Sequence, residues 1–206
     1  GFEQIFLYFD DPSERAAFVW PPSHGASAHA VQVKVVDENQ WSEWEQLGPA
    51  ALEWLPRAEA EVQARQALNA LHALARCVAA GRIAWLIHLD ADELFYPGPS
   101  LDVRAHFASL GARGVSCLTY SNHEALPAAD HHSCVGADVP SQASIPFDLV
   151  SLFKCNPATR SGSPSSCLPS ATFNYYTNGK SVTRVVPQAR PLSVHEWLPG
   201  WPAGLN

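Results

Sequence analysis

The sequence contains no methionine, no Cys-x-x-Cys pair, no Asn-x-Ser/Thr sequon, no basic cluster and no apolar run near the ~18 to 20 residues of a membrane-spanning helix. Each absence excludes something. Without paired cysteine spacings neither a zinc ribbon nor a full disulfide framework is indicated, although five cysteines are present (Cys77, Cys117, Cys134, Cys155, Cys167). Cys77 and Cys117 sit in apolar patterns and read as buried thiols; Cys134, Cys155 and Cys167 lie in loop-like sequence with room for one bridge. Thirteen Lys and Arg against twenty Asp and Glu give a net charge of -7. That balance argues against a nucleic-acid backbone or an anionic membrane surface as a partner of this segment, since both select clustered basic residues. The N-terminus has no basic-then-apolar leader. The missing methionine and the initial Gly1 point to an excerpt of a longer protein.

What is present suits one globular domain over residues 1–206. Hydrophobic residues make up 47% of the 206, and charged residues 16%, enough apolar material to bury a core. "FEQIFLYF" reads as a buried strand that stops at the turn residues of "DDPSE", and the alternating "AVQVKVV" as a second strand. From about Pro56 to Gly81 the period becomes helical, with Ala64, Leu68, Leu71, Ala75 and Val78 on one stripe and Gly81 as the stop. "IAWLIHL", "GVSCLTY" and "SVTRVV" are further strands. Ser121 to Pro146 reads as a long loop, "FDLVSLFKC" is too short to assign, and "CNPATRSGSPSSCLPS" is turn-rich. Strand, strand, helix, strand predicts an α/β domain with a mostly parallel central sheet.

The most informative stretch is "IAWLIHLDADELFYP". A strand apolar along its length is expected to be buried on both faces, and ligands in open α/β sheets bind just beyond the carboxyl ends of such strands. Asp90, Asp92 and Glu93 fall there. If extended geometry persists, Asp90 and Asp92 project to one side about 6 to 7 Å apart at Cα. Two carboxylates that close call for a proton or a bridging cation, and oxygen donors suit Mg²⁺ or Mn²⁺. A solvated loop start is the plainer alternative. "NGKS" is not a phosphate loop, because Asn174 stands where that motif needs its first glycine.

The segment "WLIHLDADELFYP" resembles the Asp-x-Asp segment of nucleotide-sugar glycosyltransferases of the GT-A fold, especially family 92 and its family 2-like relatives. "IFLYFDDPSE", "ARQALNALHALAR" and "FNYYTNGKSVTRVV…SVHEW" are similar to further parts of that fold, so the resemblance covers most of the chain. It implies a Rossmann-like GT-A domain lacking its first strand and helix. It also implies Mn²⁺ or Mg²⁺, a nucleoside-diphosphate sugar such as a UDP-sugar as donor, a glycan hydroxyl as acceptor, inversion at the anomeric carbon, and a Golgi-lumenal, membrane-anchored parent.

Residue by residue, the resemblance implies Asp92 as principal metal ligand, Asp90 on the metal or the donor ribose, and His195 of "SVHEW" as a further ligand. Asp10 and Asp11 would meet the nucleotide, against the alternative of a simple turn with Pro12 and Ser13. Lys180 would meet diphosphate oxygens, and Arg65 either phosphate or solvent. A general base is required to take the acceptor proton; Glu124 is the first candidate, with Glu93 and His123 behind it. The "DHH" at 130–132 offers an incidental metal site. Two rival functions stay open: a metal-dependent phosphoryl or nucleotidyl transferase, and a nonenzymatic carbohydrate- or nucleotide-binding domain.

Overall fold

The structure, a computed structural model, describes residues 2–17, 30–96, 102–121, 123–126, 152–155 and 179–199. These fall into two compact units, Gly1–Thr119 with Lys180–Asn206, and Tyr120–Gly179. The fold is mixed α/β. In chain order the first unit opens with β1 (Gln4–Phe9), α1 (Pro12–Ala17), β2 (Ala30–Val35), α2 (Glu38–Glu45), 3-10 turns at Gly48–Ala51 and Leu55–Arg57, and α3 (Val62–Ala80). β3 (Trp85–Ile87), α4 (Val103–Ala112) and β4 (Cys117–Tyr120) follow. The second unit contributes β5 (His123–Leu126) and β6 (Leu152–Cys155), an antiparallel pair with Glu124 opposite Lys154. β7 (Lys180–Arg184), β8 (Arg190–Pro191) and β9 (Trp197–Leu198) return to the first unit.

α3 organises the first unit because it is apolar on two sides. One side, with Ala64, Ala67, Leu68 and Leu71, packs on Trp44 of α2 and on Ala51, Trp54 and Ala58 of the 3-10 segment. The other, with Ala70 and Leu74, packs on Ala189 and Trp197, with Leu86 and Cys117 beside them. Burial from two directions explains why the buried set broadens beyond one stripe, while Ala75, placed on the expected stripe, is exposed. The helix ends where the sequence says it should. Gly81 adopts a left-handed φ of 66° and donates its N–H to the Cys77 and Val78 carbonyls, a conformation that costs glycine nothing. Its start falls later than the expected Pro56: that proline enters a 3-10 turn, and Glu61 precedes the helix with its side chain paired to Arg57 at 2.6 Å rather than capping.

The sheets are small and of both senses. β1 and β2 are parallel, in register from Gln4–Ala30 to Phe9–Val35. β7 lies between β3 and β4 and runs antiparallel to β3, with Trp85 opposite Arg184 and Ile87 opposite Val182. β8 and β9 are also antiparallel. β3 is shorter than the run "IAWLIHL", and it is half-buried rather than buried on both faces. The reason is an open cavity of about 480 Å³ along it, lined by Phe2, Phe6, Trp85, Phe107, Arg82 and Arg184 among others. α2 begins at Asp37, whose carboxylate accepts from the Asn39 and Gln40 N–H groups, and α4 at Asp102, which accepts from Arg104 N; short acidic N-caps of this kind satisfy donors that a helix start leaves open. No helix of the described residues is long and apolar enough to cross a membrane.

Candidate functional site

The chain leaves β3 at Ile87 and turns. Glu93 N–H donates to the Asp90 carbonyl at 3.1 Å, and Asp90 N–H donates back to Glu93 Oε2 at 3.0 Å. This reciprocal closure replaces the extended geometry that would have aimed Asp90 and Asp92 to one side. Asp92 stands exposed at the tip, with its carboxylate meeting no donor among the described residues. Phe95, two residues past the turn, stacks on Phe107 of α4 with centroids 5.9 Å apart and meets Phe2 edge-on, fixing the outgoing chain.

Lys180 arrives from the other direction. Continuing the β3–β7 register beyond Ile87–Val182 sets it opposite Leu89. Its side chain is buried, at 4% exposure, yet carries an ammonium. That charge is met by Asp90 Oδ2 at 2.7 Å and Glu93 Oε2 at 3.4 Å. Asp90 Oδ1 accepts from Gln66 Nε2 of α3 at 3.3 Å. His88 lies behind the aspartate, Nε2 4.0 Å from Asp90 Oδ1, with Nδ1 against the Val194 carbonyl at 3.3 Å. Burial, and then the Lys180 charge, push the His88 pKa below the ordinary imidazole value, so this ring is neutral near pH 7. Lys180 and the acids are therefore one cluster assembled from β3, its turn, α3 and β7.

The segment bearing His195 comes to the same place through its backbone. Ser181 N–H donates to the His195 carbonyl at 3.1 Å, and His195 N–H donates to Ser193 Oγ. Yet among the described residues no group of three or more His, Cys, Asp or Glu side chains is arranged to hold a metal ion. Asp90, Asp92 and His195 are thus not gathered into a donor set, and the Asp90 and Glu93 oxygens facing inward already serve the ammonium. As placed, Asp90 and Glu93 do not fit a divalent ion bridging them, because Lys180 occupies that position.

The remaining candidates separate. Asp10 takes a forked pair from Arg65, Nε at 2.9 Å and Nη2 at 2.6 Å from Oδ2; Arg65 also donates to the Ala58 carbonyl. Arg65 is thus engaged by Asp10 and the Ala58 carbonyl in this arrangement, while the Asp10 side chain stays exposed at the end of β1. Asp11 accepts from Ser13 N–H at 2.7 Å, the turn chemistry that competed with a nucleotide contact. Glu124 and His123 are placed by their backbone alone on β5, opposite Lys154 and Cys155. "DHH" at 130–132, Cys134 and Cys167 lie outside the described residues. Cys77 is a buried free thiol as expected, Cys117 a free thiol that is only half-buried, and burial pushes the Cys77 pKa up to about 11.

Against this geometry, one curated protein is similar. The chain is 30% identical over 153 residues to a glycosyltransferase-like protein of Arabidopsis thaliana, the match taking in 66% of this chain. The chain spans about a quarter, 26%, of that relative's length. No family model matches the chain, and no solved structure does.

Two groups escaped the sequence reading. His88 stands two residues before Asp90, and its position inside an otherwise apolar strand was the available signal. The second lies elsewhere in the unit: Tyr8 OH is 2.7 Å from His72 Nδ1, His72 Nε2 is 2.7 Å from Glu43 Oε2, and Lys34 Nζ binds both Glu43 oxygens at 2.8 and 2.9 Å. His72 interrupts the apolar face of "NALHALA", which marked it as a polar group needing partners.

Proposed function

We propose that this chain takes part in glycosyl transfer, as the portion of a larger glycosyltransferase that holds a nucleotide-sugar donor. The observation that carries this reading is the 30% identity, over 66% of the chain, to a glycosyltransferase-like protein. The geometry supports it by supplying a fixed carboxylate at the end of a strand. Asp90, held on one oxygen by Lys180 and on the other by Gln66, keeps a third of its side chain open to solvent. A carboxylate so fixed accepts hydroxyl hydrogens without reorganising, which suits the ribose or the transferred sugar of the donor.

In this reading the fold is of the GT-A kind, the donor a UDP-sugar and the acceptor a glycan hydroxyl. The acceptor oxygen attacks the anomeric carbon as the bond to the diphosphate breaks, with inversion, and a base, Glu124 first, takes the hydroxyl proton. A lumenal Golgi setting belongs to the same proposal. Metal dependence is left out of it, because the inward-facing acid oxygens are occupied by Lys180.

The test is UDP release from a panel of UDP-sugars with glycan acceptors, alongside calorimetric binding of UDP. The reading expects saturable UDP binding that Asp90→Asn weakens at least tenfold. A chain that binds no uridine nucleotide and turns over no sugar nucleotide sinks it; consumption of a nucleoside triphosphate instead favours nucleotidyl transfer.

A further inference from the structure

The acid turn raises a question of charge. Two carboxylates, Asp90 and Glu93, converge on one point, the arrangement that a divalent cation would ordinarily resolve. Here the point is already taken. The Lys180 ammonium sits 2.7 Å from Asp90 and 3.4 Å from Glu93, on a side chain that is almost wholly withdrawn from water. Its anchoring is structural: Lys180 opens β7, whose next residues Ser181, Val182 and Thr183 are all buried, so its backbone is held in place at the turn. Ser181 is further tied to the Thr119 hydroxyl and the His195 carbonyl.

We propose that Lys180 is the resident cation of this site, standing where a divalent ion would bridge Asp90 and Glu93, so that the site binds its ligand without metal. An ion sharing those oxygens would lie a few ångström from an ammonium almost wholly withdrawn from water, and like charges so placed repel more strongly than in bulk solvent. His88, neutral and behind Asp90, adds no competing charge. The lysine also leaves the Asp90–Glu93 pair with a single net negative charge instead of two, Asp92 standing apart at the exposed tip, and leaves the outer lone pairs of Asp90 free for hydroxyl donors. The ligand class for which this suits the site is a polyhydroxylated one, the sugar or ribose of a donor, rather than a metal–diphosphate complex; this last step rests on the glycosyl-transfer reading, whereas the cation assignment does not.

Manganese alone decides the cation assignment, followed by electron paramagnetic resonance on the protein and on Lys180→Met. Wild type is expected to show no saturable Mn²⁺ binding up to millimolar concentration at this turn. Lys180→Met should gain a site at least tenfold tighter, which Lys180→Met/Asp90→Asn abolishes and Lys180→Arg never acquires. Wild-type binding that Asp90→Asn removes overturns the proposal, and so does a folded Lys180→Met protein that gains nothing. Should Lys180→Met fail to fold, the wild-type titration with its Asp90→Asn control still decides: saturable binding lost in that variant overturns the assignment, and no binding upholds it. UDP affinity with EDTA and with Mn²⁺ gives the second readout. Equal affinity supports metal-free binding and a tenfold loss with EDTA overturns it. Absence of UDP binding in both overturns the donor reading alone, with the manganese result standing.

Discussion

Lys180 cannot exchange its partners for water, whereas Asp90 and Glu93 can, since both keep a quarter to a third of their side chains exposed. The two halves of the cluster should therefore differ when broken. Asp90→Asn strands a buried ammonium with only the longer Glu93 contact, and a loss of about 2 to 3 kcal/mol is expected, under the ~3 to 5 kcal/mol of a fully enclosed pair. Lys180→Met removes the costly buried charge itself and lets both acids turn to solvent, so its loss should be about 1 kcal/mol or less. Urea denaturation of the two variants measures the order, and a Lys180→Met protein less stable than Asp90→Asn contradicts it. The acids of this cluster were legible in the sequence because they follow an apolar strand within a few residues. Their counter-ion was not, for it lies 90 positions away and only the β3–β7 register brings it in. The projection of Asp90 and Asp92 to one side depends on strand geometry continuing past β3, whereas the Asp90–Glu93 hydrogen bonds turn the chain there.

Elements were legible in proportion to their apolar periodicity. α3 carries a long Leu and Ala pattern closed by Gly81 and was foreseen; α2, "ENQWSEWE", offers only two tryptophans to a periodicity argument and was not. β7 is legible as a strand in "SVTRVV", but its place between β3 and β4, antiparallel to β3, depends on long-range pairing that no local pattern encodes. The helix stop gives an element-scale prediction. A Cβ at Gly81 would meet nothing within 4 Å, so Gly81→Ala tests the left-handed backbone alone, at a cost of about 1 kcal/mol. Gly81→Asn should lose less, since asparagine tolerates that region. Equal losses in thermal melts would mean that contacts, not φ, set the effect. At the start of α2, Asp37→Ala removes the acceptor of two backbone donors and should cost about 1 kcal/mol by the same measurement.

The first unit as a whole is tied by the Tyr8–His72–Glu43–Lys34 chain, which joins β1, α3, α2 and β2. Burial raises the Tyr8 pKa and, as the leading cause, lowers that of His72 from its ordinary value, with Lys34 and Arg76 adding to the lowering and Glu43 opposing it. A neutral His72 that donates from Nε2 to Glu43 and accepts from Tyr8 at Nδ1 satisfies every partner. Because the folded state holds this proton less tightly than the unfolded chain, the unfolded state binds more protons once pH falls below about 6.5. Stability contributed by His72 is then fully present above that value, declines by up to about 1.4 kcal/mol per pH unit below it, and levels off beneath the folded pKa. His88 is displaced in the same direction and adds to the slope. Glu43, held low chiefly by its Lys34 hydrogen bond, adds a separate loss only below about pH 4.5. The melting temperature should accordingly change little near pH 7.5 and fall between 6.5 and 5. His72→Gln, whose amide can donate to Glu43 and accept from Tyr8, should shrink that fall, and His72→Gln/His88→Gln should nearly remove it. A profile whose fall below pH 6.5 survives in the double variant would place the acid sensitivity of the molecule outside this chain of four residues and outside the ring behind Asp90.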